Sequence, residues 1–422
     1  MSADTRRPPP RTGLAAPLRH REFRWLAAGR VATYLGNAVA PVGLAFAVLD
    51  LTGSLVDLGI VIGARSAAMV VLTLFGGVLA DRLPRPVILQ GAGATAAVSQ
   101  AAIAVSVLSG FASVPLLVAL NVVNGAVAAA SLPAALALTP QTVPSGLLRQ
   151  ANAVARMGSN TGMVAGAPLG GLLAALAGPG WALASASAAF ALAALCYHRM
   201  RLRNRASGSG PRPAGPLADL REGWREFTSR SWLWVVVLQF MVVNAVVTGC
   251  VQVLGPGIAD VSFGRTAWGF VLAAETLGAF LGGVLASRWQ PRRALCFGVA
   301  ATVVEALPLS AMAGIREAGL LIAAMFVTGV AMEQFAIAWD VSLQHHVPED
   351  RLAKVYSYDV IGSLVAVPVG ETMAGTVAAA LGVPVTLCLG AALVVIVTAA
   401  ALANRGVRTL AQGEPLPAAA EP

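Results

Sequence analysis

An all-α polytopic membrane protein, with twelve transmembrane helices in two six-helix halves, follows from three features of this chain. Charged residues make up only 12% of it and hydrophobic ones 57%, whereas a soluble domain carries about a quarter charged residues. Apolar runs of about 20 residues, each long enough to cross a hydrocarbon layer of about 30 Å, recur from Trp25 to Ala403. A soluble helical protein with one large core would need amphipathic helices with charged outer faces, and this chain lacks them. Finally, short matches recur in the second half at a nearly constant offset. Gly76-Gly77-Val78-Leu79-Ala80 returns as Gly282-Gly283-Val284-Leu285-Ala286, and Trp25, Leu26 and Asn37 return as Trp232, Leu233 and Asn244. Two such halves joined by a basic linker form a parallel repeat.

Residues 1–23, with Arg6, Arg7, Arg11, Arg19 and Arg21, are expected to form a basic, disordered tail. Six spans follow within 24–198, near Arg24–Leu49, Leu58–Ala80, Val87–Leu108, Val114–Thr139, Ala151–Leu176 and Trp181–His198. Hydropathy collapses over 199–230, where arginines flank a Gly/Ser/Pro-rich centre, the composition of a linker. Within 231–404 the spans lie near Trp232–Leu254, Arg265–Ala286, Ala294–Ala313, Gly319–Leu343, Val355–Leu381 and Val385–Ala403, and a polar tail, 405–422, closes the chain. Nearly all Lys and Arg fall in the tails, the linker and the turns after spans two, four, eight and ten. The opposite turns hold only Arg265 and Arg316, against Asp50, Asp57, Asp260 and Glu317. Both termini are therefore expected in the cytosol.

The net charge of +9 marks one side of a membrane and does not signal nucleic acid. Cys196, Cys250, Cys296 and Cys388 sit in apolar runs without CxxC spacing and read as small core residues. No cleavable signal peptide is expected, since the first apolar run is too long for an h-region. His345 and His346 stand beside Glu349 and Asp350, but a metal site needs further ligands at fixed spacing, so no metal is assigned. The sequence carries no P-loop, nucleophile elbow or paired catalytic constellation. Neither an enzyme nor a cofactor is expected, nor a self-contained ATP-driven pump.

Charges inside apolar runs are costly and usually functional. The N-terminal half has Arg30 and Arg65 within its spans, while the C-terminal half has Glu275, Glu305, Glu333, Asp340 and Glu371. Opposite charge on two halves suggests pairs made in one state and broken in another, against the alternative of local satisfaction by hydroxyls, amides and water. Arg65 and Glu371 lie at similar depth and are expected to pair, directly or through water. Polar residues also share helix faces: Arg30, Tyr34, Asn37 and Pro41 on span one, Glu333, Asp340 and Gln344 on span ten. Asn121 and Asn124 lie on span four, and Gln239, Asn244 and Thr248 on span seven. On span five, Gly158, Gly162, Gly166 and Gly170 recur every fourth residue, a face that permits close backbone approach, with Pro168 and Gly171 beside it.

The run Gly76–Pro86 (GGVLADRLPRP) resembles the loop 2–3 signature of the major facilitator superfamily, in Gly77, Leu79, Ala80, Asp81, Arg82 and Arg85, with Pro84 and Pro86 departing from it. Arg21-Glu22-Phe23-Arg24, Leu51-Thr52-Gly53-Ser54, Gln150-Ala151-Asn152-Ala153 and Gly162–Gly171 are similar to the branch of macrolide-efflux and enterobactin-exporter-like proteins. The resemblance implies that Asp81 latches the two halves at the cytosolic side, near Lys354 to Tyr358, and that the span-five glycines belong to an exporter's gating motif. It also implies that spans one, four, seven and ten line a central cavity. The expected task is proton-coupled efflux of a bulky small molecule by alternating access, with Glu275, Glu333 and Asp340 as candidate proton carriers. The expected partners are the substrate, protons and the lipid bilayer, with the chain acting as a monomer. A nutrient importer and a non-transporting membrane sensor are the alternatives.

Overall fold

The computed structural model of the chain describes residues 13, 15–80, 84–200, 224–289, 291–314 and 317–410. The first half consists of α1 (Arg21–Thr52), α2 (Leu55–Ala80), α3 (Arg85–Leu108), α4 (Val114–Thr142), α5 (Leu148–Leu176) and α6 (Pro179–His198). A short α7 (224–229) leads into the second half. There follow α8 (Ser231–Gly249), α9 (Gly255–Val261), α10 (Arg265–Ala286), α11 (Ala294–Ala301), α12 (Ala306–Gly314), α13 (Ala318–His346), α14 (Glu349–Leu364), α15 (Val367–Leu381), α16 (Val383–Ala403) and α17 (Arg405–Thr409). A π-helical turn, Cys250–Leu254, joins α8 to α9, and a 3-10 turn, Thr302–Glu305, joins α11 to α12. α14 and α15 make one interrupted span. Pro368 in the first turn of α15 explains the break, because proline has no N–H to continue the helix behind it.

Eleven helical stretches among the described residues are long and apolar enough to cross a membrane. The twelfth expected span is α5, which has 29 residues but is not one of the eleven. Its first half carries Arg149, Gln150, Asn152, Arg156, Asn160 and Thr161, too many polar groups for an ordinary lipid-facing helix. The linker expectation also changes at its end. Residues 224–229 form α7, which packs on the second half through Trp224 and Phe227 against Tyr358 of α14. Glu226 of α7 is paired with Arg230 and with Arg351 of α14.

The bundle has two ends. The linker end holds the α2–α3, α4–α5, α10–α11 and α13–α14 connections, and the far end holds the turns in between. Five far-end turns contain a glycine at positive φ, namely Gly53, Gly110, Gly178, Gly264 and Gly382. A side chain there would be strained, so glycine lets these turns stay tight.

Helices in lipid gain little from hydrophobicity against one another and approach through small residues instead. In the first half, α5 lays Gly158, Gly162, Gly166 and Gly170 along α1. A methyl group on Gly162 would come 2.6 Å from the Val31 carbonyl oxygen. In the second half, Gly278 sits on the Phe326 carbonyl and Gly329 on that of Glu275, joining α10 to α13. Each half is thereby a unit whose helices touch backbone to backbone.

Candidate functional site

The halves meet along a seam formed by α2 against α15 on one side and α5 against α10 on the other. The repeat makes α2 the counterpart of α10, and α5 the counterpart of the α14–α15 span. The two contacts are thus the same contact seen twice.

Toward the far end this seam is tight. A methyl on Gly59 of α2 would stand 2.6 Å from the Glu371 carbonyl oxygen of α15, and Gly375 of α15 lies against the Leu55 carbonyl. Across the other contact, a methyl on Gly171 of α5 would stand 2.5 Å from the Arg265 carbonyl oxygen, and Gly269 of α10 lies on the Ala167 carbonyl beside Pro168. Charge reinforces this closure. Arg265, the first residue of α10, presents its guanidinium as a fork to Asp50 of α1, with Nη1 donating to Oδ2 at 3.0 Å. Its Nε donates to Asp260 Oδ1 at 2.7 Å, and the guanidinium lies 4.9 Å from the Phe46 ring centre. An acid in the last turn of a helix and a base in the first are each opposed by their own helix dipole. Asp50 and Arg265 are therefore satisfied by each other across the seam, not by their own helices.

Toward the linker end, the close glycine contacts of the described residues stay inside one half: Gly158, Gly162 and Gly166 on α1, Gly282 on α13, Gly362 on Val237 of α8. There an ion pair crosses the seam, from Arg156 of α5 to Glu333 of α13, with Nη2 and Oε1 2.8 Å apart. The Arg156 side chain is 73% exposed and that of Glu333 is 18% exposed. Asp340, one heptad further along α13, is exposed and accepts from the Tyr356 hydroxyl at 3.2 Å. On α1, Asn37 is exposed, Tyr34 lies against Gly162, and Arg30 has a buried Nε with no partner.

Other expected site residues are distributed differently. The glycine row Gly158–Gly170 of α5 serves packing within the first half, and the residues of α5 that cross the seam are Ala167, Pro168 and Gly171. Gln239 is buried and donates to Thr302 at 2.9 Å and Thr398 at 3.3 Å, toward the peripheral helices and away from the seam. Asn121 donates to the Leu117 carbonyl of its own helix, while Asn124 donates to the Leu120 carbonyl and accepts from Ser99 of α3. These three belong to the wall and not to its open face, because an amide among apolar helices settles where donors and acceptors are already fixed. Asn244 donates to the Ser363 carbonyl at 3.1 Å, bridging α8 to α14. Glu275 is half-buried on α10 with Glu305 as its charged neighbour.

Arg65 and Glu371 are within electrostatic reach across α2 and α15. No ion pair forms between them, Ser66 stands next to the carboxyl, and Glu371 Oε2 has no hydrogen-bond partner. Gly77 lies near the end of α2 and Arg85 opens α3. Asp81 and Arg82 fall outside the described residues.

Sequence reasoning missed Arg156, and it counted Asp50, Asp260 and Arg265 only as markers of topology. A signal for Arg156 existed: Asn152, Arg156 and Asn160 recur every fourth residue and mark one wet stripe of α5. Nothing local could have paired Arg265 with Asp50, which lies in the other half.

A family model described as Major Facilitator Superfamily matches residues 26–371. Among known proteins, the enterobactin exporters EntS of Shigella dysenteriae serotype 1 and of Escherichia coli are each 27% identical over 271 residues. That match covers 64% of this chain and 64% of the relative, so just under two thirds of the relatives' length is spanned. Among solved structures, the nucleoside transporter NupG superposes with a TM-score of 0.72 at 14% identity, covering 90% of this chain and 98% of that one. A bacterial homolog to the human lysosomal transporter Spinster, in an inward-facing and unoccupied conformation, superposes with a TM-score of 0.69 at 17% identity, covering 92% and 96%. At such identities the likeness to these structures is one of fold.

Proposed function

The chain belongs to the Major Facilitator Superfamily, and we propose on that premise that it exports a bulky small molecule by alternating access, driven by protons. One observation carries this reading. The seam is closed at the far end by backbone contact and by Arg265 with its two acids, while Asn37, Arg156 and Asp340 are accessible nearer the linker end. A two-half protein closed at one end and accessible at the other has the shape of one state of a rocking transporter. The excess of basic residues at the linker end supports a cytosolic position for that end, and on that reading this state takes up its cargo from inside. Export is supported by the match to the enterobactin exporters. Proton coupling rests on the acids of the second half, with Glu275, Glu333 and Asp340 as carriers, and Arg65 with Glu371 exchanges partners between states. Asp81 latches the linker end when the far end opens.

The test is transport by the full chain in vesicles with an imposed pH gradient, using a panel of apolar and amphipathic dyes. The expected result is gradient-driven movement from the linker-end side to the far side, lost on adding an uncoupler. Movement that ignores the pH gradient would overturn the coupling, and movement in the opposite direction would make the protein an importer.

A further inference from the structure

We propose that Arg156 is an anchor for an acidic group on the cargo, and that such a group takes Arg156 over from Glu333. The inference rests on the transport reading and narrows its cargo to small organic acids with an apolar body. Arg156 lies in the third turn of α5, within the wet stripe that excludes this helix from the ordinary apolar spans. An arginine side chain that is 73% exposed inside a bundle of apolar helices must face water and not lipid. Its hydrogen bond to Glu333 uses Nη2, and it is the only one Arg156 makes among the described residues. A guanidinium has five donors in a planar fork that matches a carboxylate, so most of its capacity points into the wet space.

A second cation stands at the same level of the bundle. Because Gly158 of α5 rests on Val31 of α1, and Gly162 on Val31 and Leu35, the two parallel helices are in register there. That register puts Arg156 level with Arg30, whose buried Nε has no partner. Tyr34 and Asn37 continue the same face of α1, offering an aromatic ring and an exposed amide for the rest of a ligand. Among the described residues, the first half brings no acid to this face. The negative charge opposite comes from Glu333, and a pair whose arginine is 73% exposed is screened by water and contributes modestly to stability. An incoming carboxylate therefore displaces Glu333 at small cost and gains both the fork of Arg156 and the field of Arg30. A cationic cargo would meet the reverse balance on the first half.

The experiment compares binding of three naphthalene probes, naphthoate, naphthamide and naphthylmethylammonium, to the full chain in nanodiscs of zwitterionic lipid without any gradient. In the unaltered protein naphthoate should bind at least about tenfold tighter than naphthamide, as a charge-assisted hydrogen bond provides. Arg156→Gln should erase that preference. Glu333→Gln should tighten naphthoate by up to about fivefold, the worth of the exposed pair it removes. The two variants thus move binding in opposite directions, whereas a pair that merely holds helices together would weaken binding in both. Equal binding of naphthoate and naphthamide, or weaker naphthoate binding in Glu333→Gln, overturns the proposal. Glu333→Gln decides the matter by itself if Arg156→Gln does not fold. Probe parity alongside intact gradient-driven dye export would sink the anion anchor and leave the transport reading standing, while loss of dye export with naphthoate preference intact would do the converse.

Discussion

The two ends of the seam are closed by different physics. At the far end, backbone touches backbone at Gly59, Gly171, Gly269 and Gly375, and Arg265 is 19% exposed between two carboxylates. Nearer the linker end, the glycine contacts of the described residues bind helices only to their own half, and the crossing pair is made by an arginine that is 73% exposed. Burial decides what such pairs are worth. A shielded, forked pair resists separation, and an exposed one can be exchanged for water or a ligand. Asp260 adds an asymmetry to the far end. It lies in the same half as Arg265, so when Asp50 withdraws Arg265 keeps one acid, and opening strands a single carboxylate instead of an ion pair.

The largest effect expected is from Arg265→Ala, which leaves Asp50 and Asp260 facing each other with no cation. The far end should open more often, by a coupling of about 1–3 kcal/mol or about 5–150-fold in population. Because Asp50 is 43% and Asp260 35% exposed, the lower part of that range applies. Labelling of Leu55→Cys with an impermeant maleimide, in a background without the exposed Cys388, reads this directly. Unchanged labelling would mean that the glycine contacts alone hold the far end.

A smaller effect separates the seam from the interior of a half. Gly171→Ala places a methyl 2.5 Å from the Arg265 carbonyl oxygen, where only movement of backbone can relieve it. Overpacking of this kind costs about 1–3 kcal/mol, and it should raise far-end labelling. Gly158→Ala, in the same helix, meets only one methyl of the Val31 side chain at 3.0 Å, a contact inside the first half, and should leave labelling unchanged. Equal responses would erase the distinction between crossing and non-crossing glycines of α5.

Arg65 and Glu371 form no ion pair, and their attraction is expected to be moderate. Arg65→Ala leaves Glu371, a residue that is 3% exposed, without its cation, so the double variant with Glu371→Ala should be more stable to heat than the single one. Their coupling should be about 0.5–3 kcal/mol, measured as a double-mutant cycle on melting temperature and transport. Additive losses would show that the two charges are satisfied separately.

The smallest effect lies outside the seam, at α7. Burial raises the Glu226 carboxyl, but hydrogen bonds and charge from Arg351 and Arg230 outweigh it and hold the group below its usual 4.5. A depressed carboxyl contributes its stability above the unfolded value and loses it as pH falls through the folded one. Docking of α7 should therefore weaken progressively below a pH of about 4.5, reported by Trp224 fluorescence, and Glu226→Gln should remove that dependence. A transition that persists in Glu226→Gln would assign it to another group.

What the chain determines by itself is everything that depends on short stretches. Apolar runs name the spans because a bilayer has one thickness, the glycines of α5 share a face because a helix has one pitch, and the Gly76–Pro86 run marks the family. Glu333 and Asp340 stood out for the same reason, being acids one heptad apart in an apolar segment. Partnership is not a local property. Glu333 meets Arg156 over a separation of 177 residues, and Arg265 meets Asp50 over 215. Both meetings are set by how far each helix is rotated and slid against its neighbour. Gln239 shows the same limit of local pattern, since its face of α8 is polar whether it looks into the seam or toward Thr302 and Thr398. Rotation and register are fixed by backbone contacts such as Gly171 on Arg265 and Gly162 on Val31, and these exist only once all the helices are packed together.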